Sequence, residues 1–188
     1  MASSTRNCQS SQGLLSPILA RWRVAKARPY LTGRRTLDYG CGNGGLALFC
    51  PADKYFGVDI SPAAVETARA LHPDYTFEVE LPRDGAFDVA VMLAVLEHVP
   101  NPARLVADIL RRLEPGGLLV ATTPSPRAHA VHEFGARLGL FSADAAEQHE
   151  TFLDKPRITD IVKQSGGRLV KFERFMFGLN QLFVVERP

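Results

Sequence analysis

The sequence predicts an α/β domain built on a mainly parallel sheet with helices on both faces. Three observations carry that expectation. Short apolar, strand-like runs alternate with helical segments along most of the 188 residues, and such alternation implies crossover connections and parallel strands. The first run, Thr36 to Tyr39, enters a glycine-rich turn, LDYGCGNGG, in which Gly40, Gly42, Gly44 and Gly45 fall within six residues. The next run ends in Asp59, nineteen residues after Gly40. A carboxylate at that place can accept hydrogen bonds from both hydroxyls of a ribose.

Residues 1–11 are polar and are expected to form a disordered tail, with residues 12–188 as one domain. Leu14, Leu15, Ile18, Leu19 and Trp22 recur at helical spacing, so a helix from about Leu14 to Tyr30 should dock on that domain. Strand Thr36–Tyr39 leads through the turn into a short helix containing Leu46 and Phe49, then strand Tyr55–Asp59. Ser61 and Pro62 read as the N-cap and first turn of a helix running to about Leu71. Strands Thr76–Glu80 and Phe87–Leu93 follow, the second almost wholly apolar and therefore buried. A helix over Ala103–Leu113 should stop at Pro115-Gly116-Gly117, ahead of strand Leu118–Thr122. Residues 124–156 break the pattern and hold three histidines, and in an α/β sheet such an insertion after a strand lies on the ligand side. Helix Arg157–Gln164 and strands near Leu169–Arg174 and Leu182–Glu186 complete the order.

A hydrophobic content of 46% and a charged content of 22% are ordinary for a soluble globular protein. No apolar run approaches the ~20 residues that cross a bilayer. Cys8, Cys41 and Cys50 are odd in number and match no metal spacing. A reduced, cytoplasmic setting is the expectation. The net charge of +2 conceals an asymmetry, because residues 1–35 carry seven basic residues and no acid while the remainder carries 15 basic and 20 acidic ones. That basic segment reads as a solvated tail with a polar helix face, as a surface for an anionic substrate or lipid phosphate, or as an organelle transit peptide. The net-acidic remainder gives no sign of a nucleic-acid enzyme.

Two nucleoside chemistries compete for the turn. Gly40, Gly42 and Gly45 satisfy G-x-G-x-x-G, the dinucleotide fingerprint. Asp38, however, would set a carboxylate beside the cofactor's pyrophosphate, whereas a ligand with a cationic amino-acid tail would welcome it. Nothing downstream resembles hydride-transfer machinery.

With LDYGCGNGG, the blocks GVDIS, FDVAVMLAVLEHVPNP and LRRLEPGGLLVATTP occur in the order found in class I S-adenosylmethionine-dependent methyltransferases of the small-molecule type, which the chain resembles over Leu37 to Thr123. That resemblance implies a Rossmann-like, seven-stranded sheet with its last strand antiparallel, and S-adenosylmethionine as cofactor. It assigns Gly40, Cys41, Gly42 and Gly44 to the turn along the methionine portion and Asp38 to the ammonium, directly or through water. Asp59 takes the ribose, Ile60 packs on the adenine, and the backbone near Leu93 and Ala94 lines the methionine side. For the adenine amino group the chain departs from its relatives, leaving Glu78, Glu80 or a backbone carbonyl. Some ubiquinone-type O-methyltransferases bind a divalent metal through a glutamate three residues before Glu-His; Ala94 stands there before Glu97 and His98, so no metal is expected.

A hydroxyl acceptor would need a general base. His98, His129, His132 and His149 are candidates. His149 is preferred, with Glu147 and Glu150 close by to orient its ring and raise its pKa. Phe134, Phe141, Phe152 and Phe177 are core residues or the lining of an apolar acceptor pocket. The expected function is methyl transfer, O-methylation favoured, to a small-molecule, lipid- or glycan-linked acceptor. The rivals are a catalytically silent S-adenosylmethionine-binding protein and an NAD-dependent oxidoreductase.

Overall fold

A computed structural model describes residues 16–83, 85–128 and 153–188. The expected tail and most of the 124–156 insertion, with His129, His132, His149, Phe134, Phe141 and Phe152, lie outside the described residues.

Among the described residues four helices, α1 (Ser16–Ala27), α2 (Pro62–Leu71), α3 (Pro102–Leu110) and α4 (Lys155–Gln164), accompany seven strands. The strands are β1 (Thr36–Tyr39), β2 (Tyr55–Val58), β3 (Thr76–Glu78), β4 (Phe87–Leu93), β5 (Leu113–Pro124), β6 (Arg168–Phe175) and β7 (Asn180–Glu186). They form one sheet in the order β3-β2-β1-β4-β5-β7-β6. The first five pair in parallel, and β7 runs antiparallel to both β5 and β6. This is the Rossmann-like arrangement the sequence implied.

Strand residues alternate between two cores. Leu37, Ala90, Met92, Leu119 and Phe183 face α3 and α4 through Val106, Ile109, Ile158 and Ile161. Val89, Val91, Val120, Leu182 and Val184 face the other way, onto Ala27 of α1 and Val65 and Ala68 of α2. Ser61 caps α2 as expected, and Asn101 and Asp154 cap α3 and α4 in the same way. Ser61, Asn101 and Asp154 each accept a hydrogen bond from a backbone N–H three residues on, and a proline follows each within two positions.

The structure corrects three expectations. First, α1 ends at Ala27, and Arg28–Tyr30 is a 3-10 turn, because Pro29 has no N–H to donate to the carbonyl of Ala25 and so cannot extend the α-helical ladder. Second, Pro115-Gly116-Gly117 does not separate helix from strand. It lies inside β5, where the register jumps from Phe87↔Leu113 to Val89↔Leu118. Gly116 at φ +77° makes this bulge while its N–H bonds Arg187 O at 2.9 Å and Gly117 O accepts from Arg187 N. Third, α1 does not bury Ile18 and Trp22 of the stripe expected of it, while Leu19 is half-buried and Leu14 and Leu15 lie outside the described residues. Ile18 and Trp22 stay about half exposed, whereas Ala27 and Leu31 are fully covered. Ion pairing of Lys26 with Glu173, and an Arg23 Nε bond to Asn180 Oδ1 at 3.1 Å, add to that seat.

Gly57 in β2 brings the glycine turn and β3 together. A Cβ there would stand 2.5 Å from the Phe77 ring and 3.1 Å from Cys41 Sγ. Gly57→Ala is therefore expected to destabilise the fold by about 1–3 kcal/mol through overpacking. The expected reading is a lowered urea midpoint, partly recovered in the Gly57→Ala/Phe77→Leu double variant.

Candidate active site

The glycine turn leaves the carboxyl end of β1, where the sheet changes direction: β2 and β3 extend one way, β4 and β5 the other. Ligands of open α/β sheets bind in the crevice such a reversal creates. The turn is held to β2 by main-chain bonds. The carbonyl of Val58 accepts from Gly40 N at 2.7 Å and from Cys41 N at 3.0 Å.

The glycines have different tasks. A Cβ on Gly40 would lie 2.5 Å from Val95 Cγ2, and one on Gly44 would meet the Phe77 and His72 rings at 2.7 and 2.8 Å. Those two are glycines because protein packs against them. Gly42, at φ +52°, has nothing within 4 Å of where its Cβ would be. Its bare backbone faces open space in the crevice, as close approach by a ligand requires.

Asp59 is more tightly tied than its expected ribose role suggests. Its Oδ2 accepts from Gly42 N and its Oδ1 from Ser61 N, both at 2.9 Å. Each carboxylate oxygen keeps a further lone pair. Asp59 therefore fixes the turn while retaining acceptor capacity toward the crevice. Beyond it Ile60 is 80% exposed, and Val79, just past the end of β3, is another exposed apolar side chain. Together they offer apolar cover for a flat ring. Val79 was not singled out from the sequence, because an apolar residue after a strand carries no signal until the strands are in register.

Asp38 is only 3% exposed, and Tyr55 donates its phenolic O–H to Oδ2 at 2.7 Å. Burial pushes the Asp38 carboxyl up to about 7; the Tyr55 hydrogen bond opposes that rise and the charge of Asp59 adds to it. Burial, with the charges of Asp38 and Asp59, pushes the Cys41 thiol up to about 12. A thiol so protonated is a packing group and a poor nucleophile. Among the described residues no lysine or arginine pairs with Asp38 or Asp59. The described walls of the crevice thus present carboxyl groups with no paired cation, which suits a cation far better than a pyrophosphate. Tyr55 was missed because it begins β2, and only the β1–β2 pairing brings it to Asp38.

Leu93 ends β4 half-buried at the same edge. Ala94 after it adopts φ +60° and donates its N–H to Thr122 O at 2.9 Å. A left-handed alanine costs roughly 1–2 kcal/mol, and such strain gathers at ligand sites. Of the adenine candidates, Glu78 pairs with Arg69 at 2.9 Å and Glu80 is exposed. Glu97 is buried and His98 exposed, on the turn that follows β4. Phe177 is fully exposed, so it is no part of the core.

A family model described as a methyltransferase domain matches residues 15–171. The chain is 34% identical over 122 residues to the ubiquinone biosynthesis O-methyltransferase of Thiobacillus denitrificans, covering 58% of this chain and 51% of that protein. It is 40% identical over 105 residues to the ribosomal protein L11 methyltransferase of Burkholderia vietnamiensis, covering 51% of this chain and 33% of that one. The chain therefore spans about half or less of the length of these two relatives. A solved magnesium protoporphyrin IX methyltransferase from Synechocystis PCC 6803, with S-adenosylhomocysteine bound, matches at a TM-score of 0.71 and 17% identity, covering 96% of this chain and 90% of that one. At that identity the likeness speaks for the fold.

The raised Asp38 pKa has a stability consequence. Between its unfolded value near 4 and its folded value of about 7, the native state keeps a proton that the unfolded chain releases. Stability should therefore fall as pH rises through this window, by up to about 1.4 kcal/mol per pH unit from this group, and level off above it. Asp38→Asn keeps an acceptor for Tyr55 and removes the titration. Urea denaturation from pH 4 to 8 should give a flatter profile for the variant; parallel profiles would mean that Asp38 ionises normally.

Proposed function

The chain belongs to the class I S-adenosylmethionine-dependent methyltransferases, and on that premise we propose that it transfers a methyl group to a hydroxyl of a small-molecule, lipid- or glycan-linked acceptor. The observation that carries the reading is the crevice at the sheet's reversal, with Gly42 open toward it and Asp38 and Asp59 in its walls. When bound, S-adenosylmethionine supplies a methyl group activated on a sulfonium.

The chain's own residues do the rest. Asp59, preset by its two backbone bonds, accepts from the ribose hydroxyls with its remaining lone pairs. Ile60 and Val79 cover the adenine. Asp38 holds the ammonium, and the turn from Gly40 through Cys41 and Gly42 to Gly44, with the backbone at Leu93 and Ala94, lines the methionine portion. Methyl transfer disperses positive charge, so alignment is the chief task, and fixed near-attack geometry supplies up to ~7–11 kcal/mol. A hydroxyl also needs its proton removed, for which His149 is the proposed base, with Glu147 and Glu150 beside it in sequence. The ubiquinone biosynthesis O-methyltransferase relative supports an oxygen acceptor on a small molecule.

Calorimetric titration with S-adenosylhomocysteine and, in parallel, NAD tests the cofactor. Micromolar binding of the first and none of the second is expected; failure to bind S-adenosylhomocysteine would overturn the reading. Asp59→Asn turns an amide N–H₂ toward one of two backbone donors. It should weaken S-adenosylhomocysteine binding by roughly 1–3 kcal/mol, about 5- to 150-fold, and unchanged affinity in a folded variant would remove Asp59 from the site. Once an acceptor is in hand, His149→Ala should cut turnover ~10²-fold or more while leaving cofactor affinity intact. Near-normal turnover would dismiss this histidine as the base.

A further inference from the structure

We propose that the outward face of α1, with the segment that follows the glycine turn, is a docking surface for an anionic phospholipid bilayer. Ile18, Trp22 and Ala25 lie at i, i+4 and i+7, one stripe of a helix. Ile18 is 48% and Trp22 49% exposed, and α1 seats on the domain through other residues. The stripe continues past α1 into an open groove of about 740 Å³, whose walls include Ala25, Arg28, Pro29, Leu48 and Phe49. Leu48 and Phe49 are themselves exposed large apolar residues, and the Arg28 guanidinium sits 4.6 Å from the Phe49 ring centroid, bridging the two sides of the groove. Four large apolar side chains thus stay exposed here, Leu48 and Phe49 at the groove and Ile18 and Trp22 on the helix stripe that reaches it through Ala25.

Charge selects the occupant. Residues 1–35 carry seven basic residues and no acid. Arg21 and Arg28 are exposed on this part of the surface, and neither has an ion-pair partner among the described residues. Lys54 borders the groove through its bond to Gly33 O at 3.0 Å, and Asp53 beside it is an exposed acid at that rim. A tryptophan flanked by arginines suits a bilayer interface: the ring sits at headgroup depth and the guanidinium groups reach lipid phosphates. Each basic residue near an anionic leaflet strengthens binding about fivefold. A second copy of the chain fits less well, because a two-fold contact would press the same arginines together. The inference goes beyond the proposed methyl transfer and does not depend on it.

Trp22 is the single tryptophan of the chain, so its fluorescence reports this surface alone. The full chain is titrated with vesicles of phosphatidylglycerol and phosphatidylcholine in equal parts, and with phosphatidylcholine alone. A blue shift with co-sedimentation on the anionic vesicles, fading as salt rises, is expected. Ile18→Glu/Leu48→Glu should abolish co-sedimentation, and Arg21→Glu/Arg28→Glu should weaken it at least ~20-fold. All four positions lie outside the proposed site, so S-adenosylhomocysteine binding should be unchanged in both variants and reports their folding separately. No binding to anionic vesicles at low salt, equal binding to neutral ones, or indifference to both variants would overturn the proposal. So would light scattering that reveals a dimer with Trp22 already shielded.

Discussion

Two acceptors at the end of β2, the carbonyl of Val58 and the carboxylate of Asp59, hold the glycine turn in place. Val58 O takes Gly40 N–H and Cys41 N–H, and Asp59 takes Gly42 N–H. Two properties of the crevice follow from that clamp. It brings the bare backbone of Gly42 to open space, and it packs Cys41 Sγ against the bare Cα of Gly57, with the Phe77 ring beside it. A turn with so many glycines has high conformational entropy when free. Four main-chain donors and acceptors fixed at one strand end restrict it before any ligand arrives, which is what preorganisation means in structural terms.

The same clamp shapes the electrostatics. Asp59 is steadied by backbone donors, while Asp38 is buried beside it with one phenolic donor. Burial raises the proton affinity of Asp38, and the charge of Asp59 nearby adds to that rise. An ammonium arriving beside Asp38 would favour its ionised form. Tyr55 makes this workable by supplying a hydrogen bond where water is excluded.

Much of this was legible in the sequence, and the boundary of legibility has a physical reason. Strands such as Phe87–Leu93 announce themselves locally, by continuous apolar composition, and caps such as Ser61 by the residue type next to a proline. The glycine turn and Asp59 were readable because their spacing is set by one strand–turn–helix–strand unit. What depended on non-local register was not readable. Tyr55 reaches Asp38 across a strand pair, and the Pro115–Gly117 bulge exists only because Arg187 pairs with it from the far end of the chain. The buried face of α1 was misread for a related cause. Apolar periodicity marks a stripe as amphipathic, but it does not say which surface will meet it.

The placing of β7 between β5 and β6 carries a consequence for local opening. Among the described strands, β6 hydrogen-bonds only to β7, and so reaches the rest of the sheet through it. Any fluctuation that peels β7 from β5 sets both strands loose together, whereas β6 can fray while β7 stays. The two opening events are therefore nested, with β7 always the costlier one. Amide exchange along this edge is governed by that hierarchy, and the parallel half that carries the glycine turn stands on the far side of it.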